Sequence, residues 1–76
     1  MGTELRHLMA STVETARLHA GVSLVQLAEL AGLSPRRVHD LLDGRVEFTM
    51  VDLARIAAAL DIPVTDLLPF STTADP

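Results

Sequence analysis

The chain contains no cysteine, no lysine, no tryptophan and no tyrosine among its 76 residues. Without cysteine there is no disulfide framework, no thiolate metal site and no thiol chemistry. Aromatic residues make up only 3%, namely Phe48 and Phe70, so the core must be built from Leu, Val, Ile and Ala. The same scarcity argues against the stacking platforms that grip unpaired bases. No apolar run approaches the roughly 18 residues of a membrane span, and no charged-then-apolar leader opens the chain. The expectation is a cytoplasmic protein with no membrane partner.

Length sets a further bound. A domain of about this size buries roughly 60% of the surface its unfolded chain exposes. That suits one small helical domain and leaves little room for an enzyme cleft. Six cations stand against ten acids, for a net charge of −4. An acidic balance counts against nucleic acid as a partner. Its distribution softens the objection, because all six cations are Arg and three of them, Arg36, Arg37 and Arg45, fall within ten residues of one another. An acidic domain with one local basic face would bind non-specific DNA weakly.

What the chain does have is helical punctuation, densest from Ser23 to Gly44. Leu27, Ala28, Leu30 and Ala31 form one apolar stripe at helical spacing, and Val38, Leu41 and Leu42 form a second. Between them Ala31-Gly32-Leu33-Ser34 supplies a helix stop, a turn and a new N-cap. Helices this short are marginal alone and need a shared core. A pair joined in this way has the shape of a helix-turn-helix, with its second helix as the candidate reader of DNA.

The flanking sequence supports helices on both sides. Leu5, Leu8, Met9, Val13, Ala16 and Ala20 are spaced for one helix from Thr3 to Ala20, closed by Gly21. Ser11 with Glu14 also has the form of a capping box that would begin a shorter helix, and the continuous helix is the preferred reading. Ser23 caps the next helix, with Gln26 completing its box. Ser34 caps a third, with Pro35 in its first turn, that ends at Asp43 and Gly44. Arg45 to Phe48 is a loop, and Thr49 caps a fourth helix with Asp52 at its third position. Leu53, Ile56, Ala57 and Leu60 give that helix a buried stripe, and Pro63 bars its continuation. Val64 to Leu68 makes one further short turn or helix. The expected organisation is a single domain over residues 1–70, its helix-turn-helix at 23–44, and a flexible tail at 71–76.

Chemistry is concentrated on the third helix. Arg36 and Arg37 lie in its first turn, at the positive end of the helix dipole, where each charge is unfavourable by roughly 0.3–1 kcal/mol. A phosphate or a guanine edge would compensate; two solvated arginines tolerated at small cost is the alternative. His39 lies one turn on. Asp40, four residues after Arg36, is placed either to pair with it or to accept from a cytosine amino group. His7, His19 and His39 are 12 and 20 residues apart and form no metal-ligand spacing, so no metal is expected. Ser11, Ser23 and Ser34 are better explained as caps than as nucleophiles, and no Gly-rich phosphate loop is present. Neither enzyme nor cofactor is expected.

Residues Val13 to Leu68 resemble the phage-repressor and Cro-like (xenobiotic-response-element) family of helix-turn-helix domains. The resemblance is carried by Arg17, Gly21-Val22-Ser23, Leu27-Ala28-Glu29-Leu30-Ala31-Gly32-Leu33-Ser34, Val38, Gly44, the run from Leu53 to Leu60, and Asp66-Leu67-Leu68. It covers about three-quarters of the chain, with all blocks in order. It implies an all-α, compact five-helix bundle of the lambda-repressor-like type that binds a palindromic double-stranded operator as a homodimer. The corresponding function is a sequence-specific, repressor-like regulator of transcription at the nucleoid, with helix 34–43 in the major groove.

By the same resemblance Pro35, Arg36 and Asp40 match sites that face base edges, Arg37 a site near backbone or bases, and Arg45 a phosphate contact. Base-contact candidates are therefore Arg36, Arg37, His39 and Asp40, and backbone candidates are Ser23, Ser34 and Arg45. Two departures stand out. Leu24 replaces a frequent phosphate-binding Gln, and Leu42 replaces a Glu that often pairs with the first-helix Arg, so that Arg17 must find another carboxylate or solvent. Leu24, Val25, Val64, Leu68 and Phe70 are candidates for a dimer or partner surface, with Leu5, Leu8 and Met9 as a second cluster. Leu24, Val25 and the acidic balance also admit an alternative, a protein-interaction module such as an antitoxin-like partner whose DNA binding is secondary.

Overall fold

A computed structural model describes residues 2–68, with side chains from residue 4 onward. Four α-helices follow in order: α1 (Gly2–Ala20), α2 (Leu24–Ala31), α3 (Pro35–Leu42) and α4 (Met50–Leu60). A 3-10 turn, Val64–Leu67, comes last. Phe70 and the expected tail at 71–76 lie outside the described residues.

The first helix is continuous, so Ser11 and Glu14 sit in mid-helix and the capping-box start is not used. The other caps form as their residue types require. The Ser23 hydroxyl accepts from Gln26 N, and Gln26 Oε1 accepts from Ser23 N. Ser34 Oγ accepts from Arg37 N at 3.0 Å. Thr49 and Asp52 form a reciprocal box at the start of α4. Gly32, at φ 71°, closes α2 by donating to the Ala28 and Glu29 carbonyls. Asp61 closes α4 in the same left-handed conformation, at φ 59°, which a short polar side chain tolerates.

Among the described residues there are four α-helices rather than five, and the short turn or helix expected over Val64 to Leu68 is a single 3-10 turn, Val64–Leu67. Pro63 stands at its N-cap without a side-chain cap bond, and four residues cannot complete an α-helical hydrogen-bond ladder. The turn nevertheless delivers Leu67, fully buried, to the core. Val13, Leu27, Val38, Leu41, Leu53 and Ile56 fill that core with it, and Phe48 is half-buried against it. The core is thus aliphatic, as the composition requires. α2 packs on α3 and α4, and α1 lies across α3, α4 and the final turn. Leu24, Val64 and Leu68 are half-buried against this core. Part of their apolar area thus helps to close their own domain.

Candidate nucleic-acid interface

Residue spacing decides what α3 shows to solvent. Val38 and Leu41 point into the core, where each is fully buried. Arg36, His39, Asp40 and Asp43, spaced three, four and seven residues from Arg36, form a stripe on the opposite side. Arg36 and His39 are exposed on it, Asp40 is half-buried, and Pro35 is exposed beside it. Core packing therefore fixes the orientation of this stripe, and the α2–α3 turn and the two serine caps fix its entry.

The arginines of the region differ sharply. Arg37 Nη2 donates to Asp52 Oδ2 at 2.7 Å and Nε to Oδ1 at 3.4 Å. Asp52 Oδ2 also accepts from Thr49 N at 2.9 Å. The Asp52 side chain is only 5% exposed, against 38% for Arg37. Burial pushes the Asp52 carboxyl up, but the bonds from Arg37 and Thr49 outweigh it and hold it below the ordinary carboxylate range. The same bond to Asp52 raises the Arg37 guanidinium. Arg45 Nε donates to Asp43 Oδ2 at 2.8 Å, with both side chains largely in solvent. That bond lowers the Asp43 carboxyl, outweighing the desolvation that would raise it. Arg36 stands apart. It is exposed and forms no hydrogen bond or ion pair among the described residues, and no Arg36–Asp40 pair is made. Asp40 instead lies 4.0 Å from His39 Nδ1.

Further contacts hold the stripe from behind. Arg6 Nε donates to the Gly44 carbonyl at 3.2 Å and Arg6 Nη1 lies 3.6 Å from Glu47. The first turns of α1 thereby brace the loop that follows α3. Arg17, deprived of a Glu at position 42, takes Glu14 through Nε at 2.9 Å and the Val22 carbonyl through Nη1 at 2.7 Å. The Glu14 carboxyl is lowered chiefly by that bond from Arg17. The Glu14 partner is legible as an i,i+3 pair; the Arg37–Asp52 and Arg6–Gly44 contacts, 15 and 38 residues apart, carry no local signal.

Among the described residues no three His, Asp or Glu gather as metal ligands, and no helix is long and apolar enough to cross a membrane. An open groove of about 660 Å³ runs between α1 and the final turn, lined by Ser11, Thr12, Thr15, Ala16, His19, Leu60, Ile62 and Asp66 among others. Its Thr12 and Thr15 hydroxyls are directed to the Leu8 and Ser11 carbonyls of their own helix.

Two capped helices joined through a left-handed glycine, the second with a buried inner edge and a polar outer one, define a helix-turn-helix domain. Comparison with known proteins agrees. A family model described as helix-turn-helix domain matches residues 1–70. The restriction-modification controller protein C.AhdI from Aeromonas hydrophila is 27% identical, with a TM-score of 0.80 over 83% of this chain and 96% of that one. The clp gene regulator ClgR from Corynebacterium glutamicum is 33% identical, with a TM-score of 0.78 over 83% and 82% of the two chains. A hypothetical transcription factor, NHTF, from Neisseria is 26% identical, with a TM-score of 0.79 over 90% and 78%. No curated protein sequence matches the chain. The chain belongs to the helix-turn-helix family, in its Cro-like, xenobiotic-response-element branch, and is a DNA-binding transcription regulator.

Proposed function

We propose that the protein recognises a specific double-stranded operator by laying α3 in the major groove, with Arg36 as its base reader. The observation that carries this reading is the solitary state of Arg36. Of six arginines it alone lacks an intramolecular partner among the described residues, and it occupies the exposed first turn of α3. A cation at the positive end of a helix dipole is unfavourable until an acceptor arrives. A guanine edge offers O6 and N7 to one guanidinium in a bidentate arrangement.

His39 and Asp40 lie on the same stripe as supporting contacts. The exposed Ser23 and Ser34 caps, with Arg45, supply contacts to the phosphate backbone; the Arg45–Asp43 pair is solvent-exposed and readily exchanged for a phosphate. Arg37 serves α3 through Asp52 rather than through a base. One open arginine per domain gives modest affinity, which supports a homodimer on a palindromic site, with its two copies of α3 about 34 Å apart. The protein acts on nucleoid DNA without enzymatic chemistry.

In-vitro selection from a random duplex library tests the proposal. The parent chain is expected to recover a two-fold symmetric motif containing G. Arg36→Ala is expected to lose preference at that base and about 1–3 kcal/mol on the selected duplex. Parental strength and selectivity in the Arg36→Ala chain would refute the assignment.

A further inference from the structure

We infer that Asp52 is a specificity-determining positioning residue: its buried carboxylate holds Arg37 in the place a backbone phosphate would otherwise take. The inference rests on the reading of α3 as the DNA-contacting helix. It concerns a residue that faces away from the nucleic acid.

The geometry is that of a filled anion site. Two carboxylate oxygens face Nε and Nη2 of one guanidinium, at 3.4 and 2.7 Å. A phosphate presents the same paired-oxygen edge, so the two anions compete for one cation. Asp52 has three advantages over a passing phosphate. It is anchored in the first turn of α4, it accepts a further bond from Thr49 N, and it is only 5% exposed. To leave it unpaired would strand a buried charge. Arg37, by contrast, has a side chain 38% exposed in the first turn of α3, beside the exposed Arg36.

The consequence concerns charge rather than stability. DNA affinity without sequence preference scales with the number of phosphates a protein neutralises, and the salt dependence counts them. With Arg37 occupied, the first turn of α3 meets DNA with one open cation instead of two. The base reader stays available while the sequence-blind attraction is reduced. A chain of net charge −4 is consistent with this division. The Arg45–Asp43 pair has no such effect, because both side chains are in solvent, 69% and 47% exposed.

The test uses the full chain, fluorescence anisotropy, a random-sequence duplex and the selected operator duplex, each titrated at several salt concentrations. Asp52→Asn keeps the shape and the acceptor for Thr49 N but removes the charge. It is expected to tighten random-duplex binding by roughly five- to tenfold near 0.1 M salt, to steepen the log–log salt slope by about 0.9, and to narrow the operator-to-random ratio. Arg37→Met is expected to leave the parental slope unchanged, and the double variant Arg37→Met/Asp52→Asn to match it. The double variant carries the test if Arg37→Met alone does not fold. A merely structural defect would weaken both duplexes together. An unchanged slope in folded Asp52→Asn, or a slope reduced by about 0.9 in folded Arg37→Met or in the double variant, would overturn the inference. In either case Arg36→Ala still losing the preference for the operator over the random duplex leaves the major-groove reading intact; a parent chain that binds neither duplex overturns both.

Discussion

Leu41 links the fold to the reading surface, and Leu41→Ala tests that link. Its side chain is fully buried on the inner edge of α3, between the recognition stripe and the core. The substitution removes three carbons, each contributing about 0.8 kcal/mol when buried, or about 2.4 kcal/mol of transfer free energy. The space left behind adds to this, because surrounding side chains relax only partly, for an expected total of about 3–4 kcal/mol. For a domain this small that is a large share of a total stability of about 4–11 kcal/mol. With a urea slope of about 1 kcal/mol per molar, the unfolding midpoint should fall by about 3 M. Val51→Ala, at an exposed position on α4, should move it within about 0.5 kcal/mol. Circular dichroism across a urea series measures both. A loss below about 1 kcal/mol for Leu41→Ala would mean that α3 does not dock by this edge, and the orientation assigned to Arg36 would fail with it.

Two further outcomes follow from particular contacts. Gly44 has φ 76°, and a β-carbon there would collide with the His7 ring, whereas Gly21 has φ 71° and open space around it. Gly44→Ala should therefore cost about 1 kcal/mol more than Gly21→Ala, a difference of about 4–8 °C in Tm; equal melting points would remove His7 from the account. The depressed Asp52 carboxyl contributes stability that is full above its unfolded pKa, near 4, and lost as pH falls through the lower folded value. Because Arg37 is partly in solvent, Asp52→Asn should lower stability by only about 1 kcal/mol at neutral pH, and the gap to the parent should close as the pH falls through the depressed folded pKa. A gap that persists in acid would show that the carboxylate charge is not what holds Arg37.

Local chemistry made most of the fold legible. Ser23, Gly32, Ser34 and Thr49 each act on backbone groups within a few residues, so their roles could be read without knowing the tertiary structure, and the observed caps agree. The apolar spacing likewise identified Val38, Leu41, Leu53 and Ile56 as inward-facing. Two features were only partly legible, for physical reasons. Val64–Leu67 has too few residues after Pro63 for propensity to decide between an α-turn and a 3-10 turn. The half-burial of Leu24, Val64 and Leu68 was not legible, because burial at element ends depends on packing from distant segments. The site was legible in part. The prominence of Arg36 follows from its cap and its stripe, but the difference between Arg36 and Arg37 is set by Asp52, which reaches α3 only once the 43–49 loop folds back.

We propose the outer stripe of α3 as the DNA-reading surface. The most direct measurement is a two-dimensional amide NMR titration of the full chain with the selected duplex. The largest shift changes are expected at Arg36, His39 and Asp40, with smaller ones at Ser23, Ser34 and Arg45, and little at Val25 or Leu30 on the exposed side of α2. Changes centred on α2, or on the α1 groove at Thr15 and His19, with the α3 stripe silent, would contradict it.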